Sequence, residues 1–152
     1  MSLLAMLLSQ IWPECGTAGI GGLPLPPPMD LTRIERPATP NTALAAPAGF
    51  QPSPDVITHF SGDPAKTYAA LRRIAAATPR AFPHAAHDDR MQAHFVIRSA
   101  AANFPDLVTI AVTPDGGVVI WSRSVYGRKD FGVNRARIDD WLTTLARDLA
   151  RD

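Results

Sequence analysis

The sequence of 152 residues predicts an α+β domain of two layers, in which a mostly antiparallel sheet carries two helices on one face. Three observations lead to this fold class. The predicted elements run in the order strand, helix, several strands and helix, and a Pro-Asp-Gly turn joins two apolar strands. A proline-rich extended arm precedes them. With 46% hydrophobic and 19% charged residues, the chain has the composition of a globular protein with a buried core.

The chain divides into three predicted segments. Residues 1–12 form an apolar N-terminal segment, residues 13–54 an extended arm rich in proline and glycine, and residues 55–152 the α+β domain. Because proline fixes φ and removes a backbone donor, we expect no long helix and no central strand in the arm. Its hydrophobic residues predict that parts of the arm lie against the domain: Leu23, Leu25, Leu31, Ile34, Leu44 and Phe50.

The N-terminal segment is apolar over only about ten residues, whereas a helix that spans a bilayer needs about 20. Its length suits the core of a signal peptide, but the first basic residue is Arg33. A degenerate export signal, a mis-called start codon and an apolar arm packed on the domain are the alternatives. Membrane association through this segment and an envelope or periplasmic location are therefore predictions, with a cytoplasmic location as the alternative.

The first strand and helix of the domain follow from local signals. Val56–Phe60 is a short strand candidate, and Asp63 with Pro64 begins a helix because aspartate caps the first turn and proline suits the first helical position. Apolar residues at helical spacing follow, and Thr78-Pro79 ends the helix.

The last helix is predicted from near Asn134 to about Ala150, with Asn134 interpreted as its N-cap. One apolar stripe along it is expected to cover the sheet. The stripe consists of Ile138, Trp141, Leu142, Leu145 and Leu149.

The strand from Met91 to Ser99 alternates in polarity. If Phe95 and Ile97 face the helices, Arg98 lies on the opposite side of the sheet, called here the second face. A slip of one residue in register would reverse this assignment.

A hairpin is predicted from Leu107–Thr113 and Gly117–Ser124. Its Pro-Asp-Gly loop suits a type I turn followed by a left-handed glycine, which pairs Thr113 with Gly117. The resulting register places Arg123 on the second face, beside Thr109 and Trp121.

Arg98 and Arg123 could therefore grip a carboxylate or a phosphate together through bidentate hydrogen bonds. The structural alternative is that each arginine pairs with an acid such as Asp106 or Asp130.

Residues 121–135, called here the polar corner, join the hairpin to the last helix. They combine hydroxyls, guanidiniums, a carboxylate and an amide with Gly127 and Gly132, which permit unusual backbone angles. Asp130 is interpreted as a loop carboxylate that accepts backbone or arginine donors, or alternatively as part of a recognition corner. The candidate binding residues are Arg98, Ser122, Arg123, Ser124, Asp130, Asn134 and Arg135.

No catalytic set, metal site or cofactor is predicted. Ser122 and Ser124 have no base in the loop and no G-x-S-x-G elbow. The His84-x-x-His87 spacing lacks a partner motif for zinc. A net charge of +1 gives no general reason to expect nucleic acid, although residues 123–137 carry a local basic excess.

Residues 37–149 resemble an uncharacterised family, the domain of unknown function 1499. Its proline-asparagine pair in an extended arm matches Pro40-Asn41, and its arginine-serine and phenylalanine-proline-aspartate motifs match residues 98–99 and 104–106. One departure is Val125, where many members carry arginine. The C-terminal signature matches Ser122, Arg123, Ser124, Gly127, Asp130, Gly132, Val133, Asn134, Arg135 and Arg137.

The resemblance implies no activity, but members often follow a signal, lipid-anchor or membrane segment. We expect a non-enzymatic binding or scaffolding domain at a bacterial envelope, whose polar corner recognises a small anionic group or a protein partner. The alternatives are an enzyme of unknown reaction that uses Asp130 and arginines, and a weak nucleic-acid binder. Nucleic acid is the least expected partner.

Overall fold

The computed structural model describes residues 1–152 and confirms the α+β class, with one mostly antiparallel sheet of six strands and three α-helices. The elements are α1 (Leu3–Leu8), β1 (Thr42–Pro47), β2 (Val56–Thr58), α2 (Pro64–Ala77), β3 (Ala81–His87), β4 (Gln92–Arg98), β5 (Pro105–Val112), β6 (Val118–Ser124) and α3 (Val133–Leu149).

The strand order is β2-β1-β6-β5-β4-β3, and only the β1–β2 pair is parallel. As predicted, α2 and α3 cover one face of the sheet. A cluster of 17 buried residues fills the space between the helices and the sheet. Helix α3 contributes Trp141 and Leu145, and the hairpin contributes Ile110 and Ile120. This is the main core of the domain.

The predicted hairpin is confirmed in register. The Thr113 amide donates to the Gly117 carbonyl at 2.8 Å, and Ile110 lies opposite Ile120. Gly116 has a φ of 88°, as the three-residue loop requires. The register also places Arg123 opposite Leu107 on the second face.

Both predicted helices are confirmed, but the cap of α3 differs from the expectation. Asp63 caps α2 by accepting from the Lys66 amide at 2.9 Å. The N-cap of α3 is Gly132, with a φ of 81°, and Asn134 lies inside the first turn. Asp130 supplies the missing acceptors, because its carboxylate reaches the amides of both Gly132 and Asn134.

The sheet begins earlier than the predicted domain boundary at residue 55. β1 lies within the proline-rich arm and is an internal strand, paired with both β2 and β6. The expectation that the arm forms no central strand was therefore wrong. Pro40 and Pro47 flank the strand, so its interior keeps the amide donors that the ladder needs.

β3 was not predicted from the sequence. It is the edge strand next to β4, and it contains Pro83 followed by a bulge between Pro83 and Ala85. Proline is tolerated there because an edge strand has one side without a ladder. The bulge places His84 between two paired residues.

The rest of the arm forms a third layer on the second face. A smaller core joins Ile34 of the arm to Leu44, Val119 and Trp121 of the sheet. Met29, Leu31 and Phe50 pack against it, which bears out the expectation that hydrophobic arm residues lie on the domain. Leu25 is the exception, with 69% of its surface exposed.

The N-terminal segment also packs on the domain. Ser2 caps α1 and donates its hydroxyl to the Ala101 carbonyl, while Trp12 packs on the rings of Phe104 and Tyr126. The packing agrees with the alternative of an apolar arm on the domain, and an export signal stays a prediction. No helix in the structure has both the length and the apolar character needed to cross a membrane.

The turn glycines provide a matched pair of variants. A Cβ at Gly116 would lie 2.5 Å from the Gly62 carbonyl oxygen, whereas one at Gly49, which also has a positive φ, would meet nothing within 4 Å. We expect Gly49→Ala to cost about 1 kcal/mol from backbone strain alone. Gly116→Ala should cost about 1–2 kcal/mol more in urea unfolding, because backbone must move to admit the methyl group. Equal costs would contradict the close packing of residues 62 and 116.

Candidate functional site

Arg98 is buried, with 2% of its surface exposed, and all of its N–H donors are used. Four of its five acceptors belong to the N-terminal part of the chain, and burial lowers the pKa of the guanidinium. The acceptors are the carbonyls of Glu14 (2.6 Å), Gly19 (2.7 Å), Gly21 (3.3 Å) and Asn103 (3.1 Å) and the hydroxyl of Thr17 (2.9 Å). Arg98 therefore fastens residues 14–21 across the second face.

A second fastening lies further along the arm. The side-chain amide of Gln92 pairs with both the N–H and the carbonyl of Met29. A ring nitrogen of His87 lies 3.2 Å from the Pro26 carbonyl oxygen. Residues 22–28 are thus held at both ends against β3 and β4.

The polar corner is a closed network around Asn134, which is fully buried. Its amide nitrogen lies within 3.0 Å of the Asn41 carbonyl, the Ser124 hydroxyl and the Asp130 carboxylate. Its amide oxygen accepts from the hydroxyl of Ser122 at 2.6 Å. These partners join β1, β6 and α3 and leave no free polar group on the amide.

Two further residues complete the corner. Arg137 donates to the Ser122 hydroxyl at 2.8 Å and forms a largely buried ion pair with Asp106 at 2.7 Å. Neither Arg137 nor Asp106 was among the predicted site residues. Arg135 points elsewhere, pairing with Asp139 on the exposed side of α3. The corner thus has the contacts of a structural lock, and Arg135, although within the corner, makes none of these contacts.

The two arginines of the predicted grip do not act together. Arg98 is bound to carbonyls and a hydroxyl, and Asp106 pairs with Arg137 instead of either candidate. The alternative in which each arginine pairs with Asp106 or Asp130 was therefore wrong as well. Arg123 makes one long hydrogen bond, 3.5 Å to the Thr109 hydroxyl, and no ion pair.

Arg123 lines a cavity of about 320 Å³ on the second face. Its other polar lining residues are His84, His94 and Thr109, and the remaining ones are leucine, proline, phenylalanine or valine. Residues 23–27 cover the cavity and are called here the roof segment. Burial lowers the pKa of Arg123 to about 10, because no anion compensates the desolvated guanidinium.

Both histidines of the cavity have an unpartnered nitrogen. His84 and His94 are 7% and 3% exposed, and the Nε2 atom of each is buried without a hydrogen bond. Buried polar atoms in folded proteins almost always have a partner. Two orphaned nitrogens beside an unpaired guanidinium therefore mark this cavity as the candidate site.

The ring of His94 has one hydrogen-bond partner. Its Nδ1 lies 2.9 Å from the Thr109 hydroxyl, which also accepts from Arg123. We assign the hydroxyl proton to the bond with Nδ1, and this assignment puts the imidazole proton on Nε2. Burial, and then the charges of His87, Arg123 and His84, lower the pKa of His94 to about 4. His94 is thus a neutral ring with a free N–H donor.

A second cavity, of about 360 Å³, lies between the N-terminal segment and the residues around Arg98. Its two guanidiniums are already engaged, since Arg80 donates to the Arg98 carbonyl and to the Asn103 amide oxygen. Both of its guanidiniums serve to hold the chain in place, and none of its buried side chains has an unpartnered polar atom, so it is the weaker candidate.

The binding residues predicted from the sequence include Arg123 but neither His84 nor His94. The alternation of β4 did place His94 on the second face, beside Arg98. Its contact with Thr109 depends on the register of β4 against β5, and that of His84 on the bulge in β3. The basic residues between Arg123 and Arg137 do not form one surface, because the first lines a cavity and the last is buried in the corner.

The sequence model of the family described as "Protein of unknown function (DUF1499)" matches residues 34–145, which include the whole sheet and most of α3. The chain therefore belongs to this family. No curated protein and no solved structure was found to match it. Membership assigns no activity, so the function has to be argued from the site.

The Arg98 fastening predicts a large loss of stability on substitution. Arg98→Met removes every donor that holds residues 14–21 and leaves their buried carbonyls unpaired, so we expect a loss of about 3 kcal/mol or more in urea unfolding. Cleavage by protease within residues 14–27 should become faster. Arg90→Met, at an exposed arginine, is the control and should stay within about 0.5 kcal/mol of the wild type. Equal midpoints for the two variants would contradict the fastening.

His94 predicts a pH dependence of stability. Its pKa of about 4 in the folded chain lies below the usual 6.5, so the unfolded chain binds the proton first as the pH falls. The contribution is complete above about pH 6.5 and is lost as the pH falls towards 4. Between pH 6.5 and 5 the free energy of unfolding of the wild type should fall more steeply than that of His94→Gln, by up to about 1.4 kcal/mol per pH unit. Parallel curves from urea unfolding would refute this assignment.

Proposed function

We propose that this protein is a non-enzymatic binding domain that recognises an anionic group at Arg123. The observation that carries the proposal is the state of this guanidinium: it is desolvated, unpaired, and open to a cavity. A half-buried charge without an ionic partner is unfavourable in the free protein, and a bound anion would offset this. Of the binding residues predicted in the polar corner, the proposal keeps Arg123 and places recognition on the second face.

Stability alone gives a poor account of Arg123. The other two arginines withdrawn from solvent on this side of the fold have strong partners: Arg98 has its acceptors and Arg137 has Asp106. Arg123 has one neutral hydroxyl at 3.5 Å and a position 5.9 Å from the centre of the Trp121 ring. Groups that weaken the fold where they stand are commonly retained for binding.

An enzymatic role for Asp130 has less support. Both oxygens of its carboxylate already accept hydrogen bonds from the first turn of α3, and one also binds the Asn134 side chain. These three hydrogen bonds hold the carboxylate at the start of α3, and it lines none of the larger cavities where a substrate could meet a general base. Ser122 and Ser124 are likewise engaged with Asn134.

Membrane association through residues 1–12 stays a prediction, as do the location and any protein partner. The observation in its favour is a group of exposed apolar side chains at the N-terminus, next to a buried Ala5 that holds α1 on the domain. The group consists of Met1, Leu3, Leu4, Met6, Leu7 and Ile11.

The test of anion recognition is a titration with inorganic phosphate and with sodium acetate at low ionic strength, followed by amide chemical shifts in NMR spectra. The wild type should show saturable shifts in residues around the cavity. Arg123→Met should abolish them, and its urea midpoint should equal or exceed that of the wild type because an uncompensated charge is removed.

Arg135→Met is the matched control, since it removes an exposed arginine of the polar corner. It should bind both anions as the wild type does. Wild-type protein that responds to neither anion, or an Arg123→Met variant that responds normally, would overturn the proposal. Loss of binding in Arg135→Met alone would return recognition to the corner.

A further inference from the structure

We infer that the ligand of the Arg123 cavity is a monocarboxylate with an apolar body, about ten non-hydrogen atoms in all, seated beneath the roof segment. This inference rests on the proposed function and adds the chemical class of the ligand. It depends on the charge of the cavity, the arrangement of its donors, and the chemistry and size of its walls.

The charge of the cavity matches a single negative charge. Arg123 is the one fixed cation among the lining residues, and none of them is an acid or a lysine. Its neighbour His94 resists protonation, because burial and the surrounding His87, Arg123 and His84 all oppose a second charge. A monoanion therefore leaves the site neutral, whereas a phosphate dianion would bring an uncompensated charge against apolar walls.

The donors favour a flat pair of oxygens. A guanidinium presents parallel N–H groups in a plane, which suits both oxygens of a carboxylate. The Nε2 atom of His94 has no partner in the protein, and in the tautomer assigned above it adds a third donor. His84 supplies a further unpartnered nitrogen on the same lining. One carboxylate could satisfy Arg123 and His94 together.

The walls and volume favour an apolar body. Leu23, Pro26 and Leu107 line the cavity, and no charged group other than Arg123 does so. At about 30 Å³ for each non-hydrogen atom, the share of one molecule in liquid water, the volume of about 320 Å³ accommodates about ten atoms. Octanoate has this size and is a suitable probe.

The roof segment gives such a ligand a way in. It lies between the Arg98 fastening at Gly21 and the Gln92 fastening at Met29, so it can lift without breaking either. One hydrogen bond joins the roof segment to a side chain, between the Pro26 carbonyl and the ring of His87. Pro24, Pro26 and Pro27 restrict φ, so the segment is expected to move with little internal change.

The test compares ligands that differ in one property, using calorimetry and amide chemical shifts with the full chain. Acetate, butyrate and octanoate vary the apolar body, while octanol and octylamine replace the carboxylate of octanoate. Each buried methylene should tighten binding up to about fourfold, so octanoate should bind at least tenfold more tightly than acetate. Octanol and octylamine should bind at least tenfold more weakly than octanoate.

Two variants locate the ligand. Arg123→Met should reduce the affinity for octanoate to that for octanol. Leu23→Ser, in the half-buried part of the roof segment, should lower the affinity for octanoate and leave that for acetate unchanged. Amide spectra of both variants, compared with the wild type, establish that they are folded.

The outcomes separate the inference from the proposed function. If acetate and phosphate bind through Arg123 but octanoate binds no more tightly than acetate, the ligand class is wrong and anion recognition stands. If octanol binds as well as octanoate, the cavity is merely apolar and both fail. No binding of any anion also overturns both, whereas the expected ranking with loss in Arg123→Met supports both.

Discussion

The buried guanidinium of Arg98 is the interaction on which the second face of this protein depends. It fills five acceptor positions, four of them on a stretch of chain with little regular structure of its own. Residues 14–21 have few apolar side chains to bury, so their place on the sheet has to be specified by hydrogen bonds. An arginine suits this task because its rigid, planar guanidinium can donate hydrogen bonds to several carbonyls at once. Without Arg98, the N-terminal end of the roof segment would not be held against the sheet.

The molecule contains two kinds of polar cluster, and their hydrogen bonds distinguish them. In the polar corner, Asn134 binds β1, β6 and the Asp130 loop together, and every strong donor or acceptor on its side chain is used. Such a saturated network fixes one arrangement of the chain and has nothing left for a ligand. In the Arg123 cavity the hydrogen bonds are incomplete, although His84 and His94 are buried and Arg123 is half-buried. The dense polar residues around Asn134 therefore form a structural lock. The candidate site lies in the cavity, where polar residues are few and their hydrogen-bonding groups are incompletely paired.

Local chemistry made much of the fold predictable. The Pro-Asp-Gly loop determined the register of β5 and β6, and Asp63 with Pro64 determined where α2 begins. β1 could not be found in this way because its antiparallel partner is far along the chain: Ala43 pairs with Ser122. The site was predictable only in part, for the same reason. Arg123 followed from the hairpin, but the contact of His94 with Thr109 requires a register that no short turn specifies. The interpretation of Asn134 as the N-cap of α3 was wrong, because Gly132 holds that position and the Asp130 carboxylate accepts from the amides at the start of the helix.

The distance along the chain between the two sides of the Arg98 fastening also sets an order of events during synthesis. Glu14 is made 84 residues before Arg98, which at about 5–20 residues per second is roughly 4 to 17 seconds. Throughout that interval residues 14–21 lack their partner, and the pairing of β1 with β6 comes later still. Residues made early thus reach their final positions late. The apolar side chains of residues 1–12 stay uncovered until β4 and the residues that follow it are made, since Ser2 contacts Ala101 and Trp12 packs on Phe104.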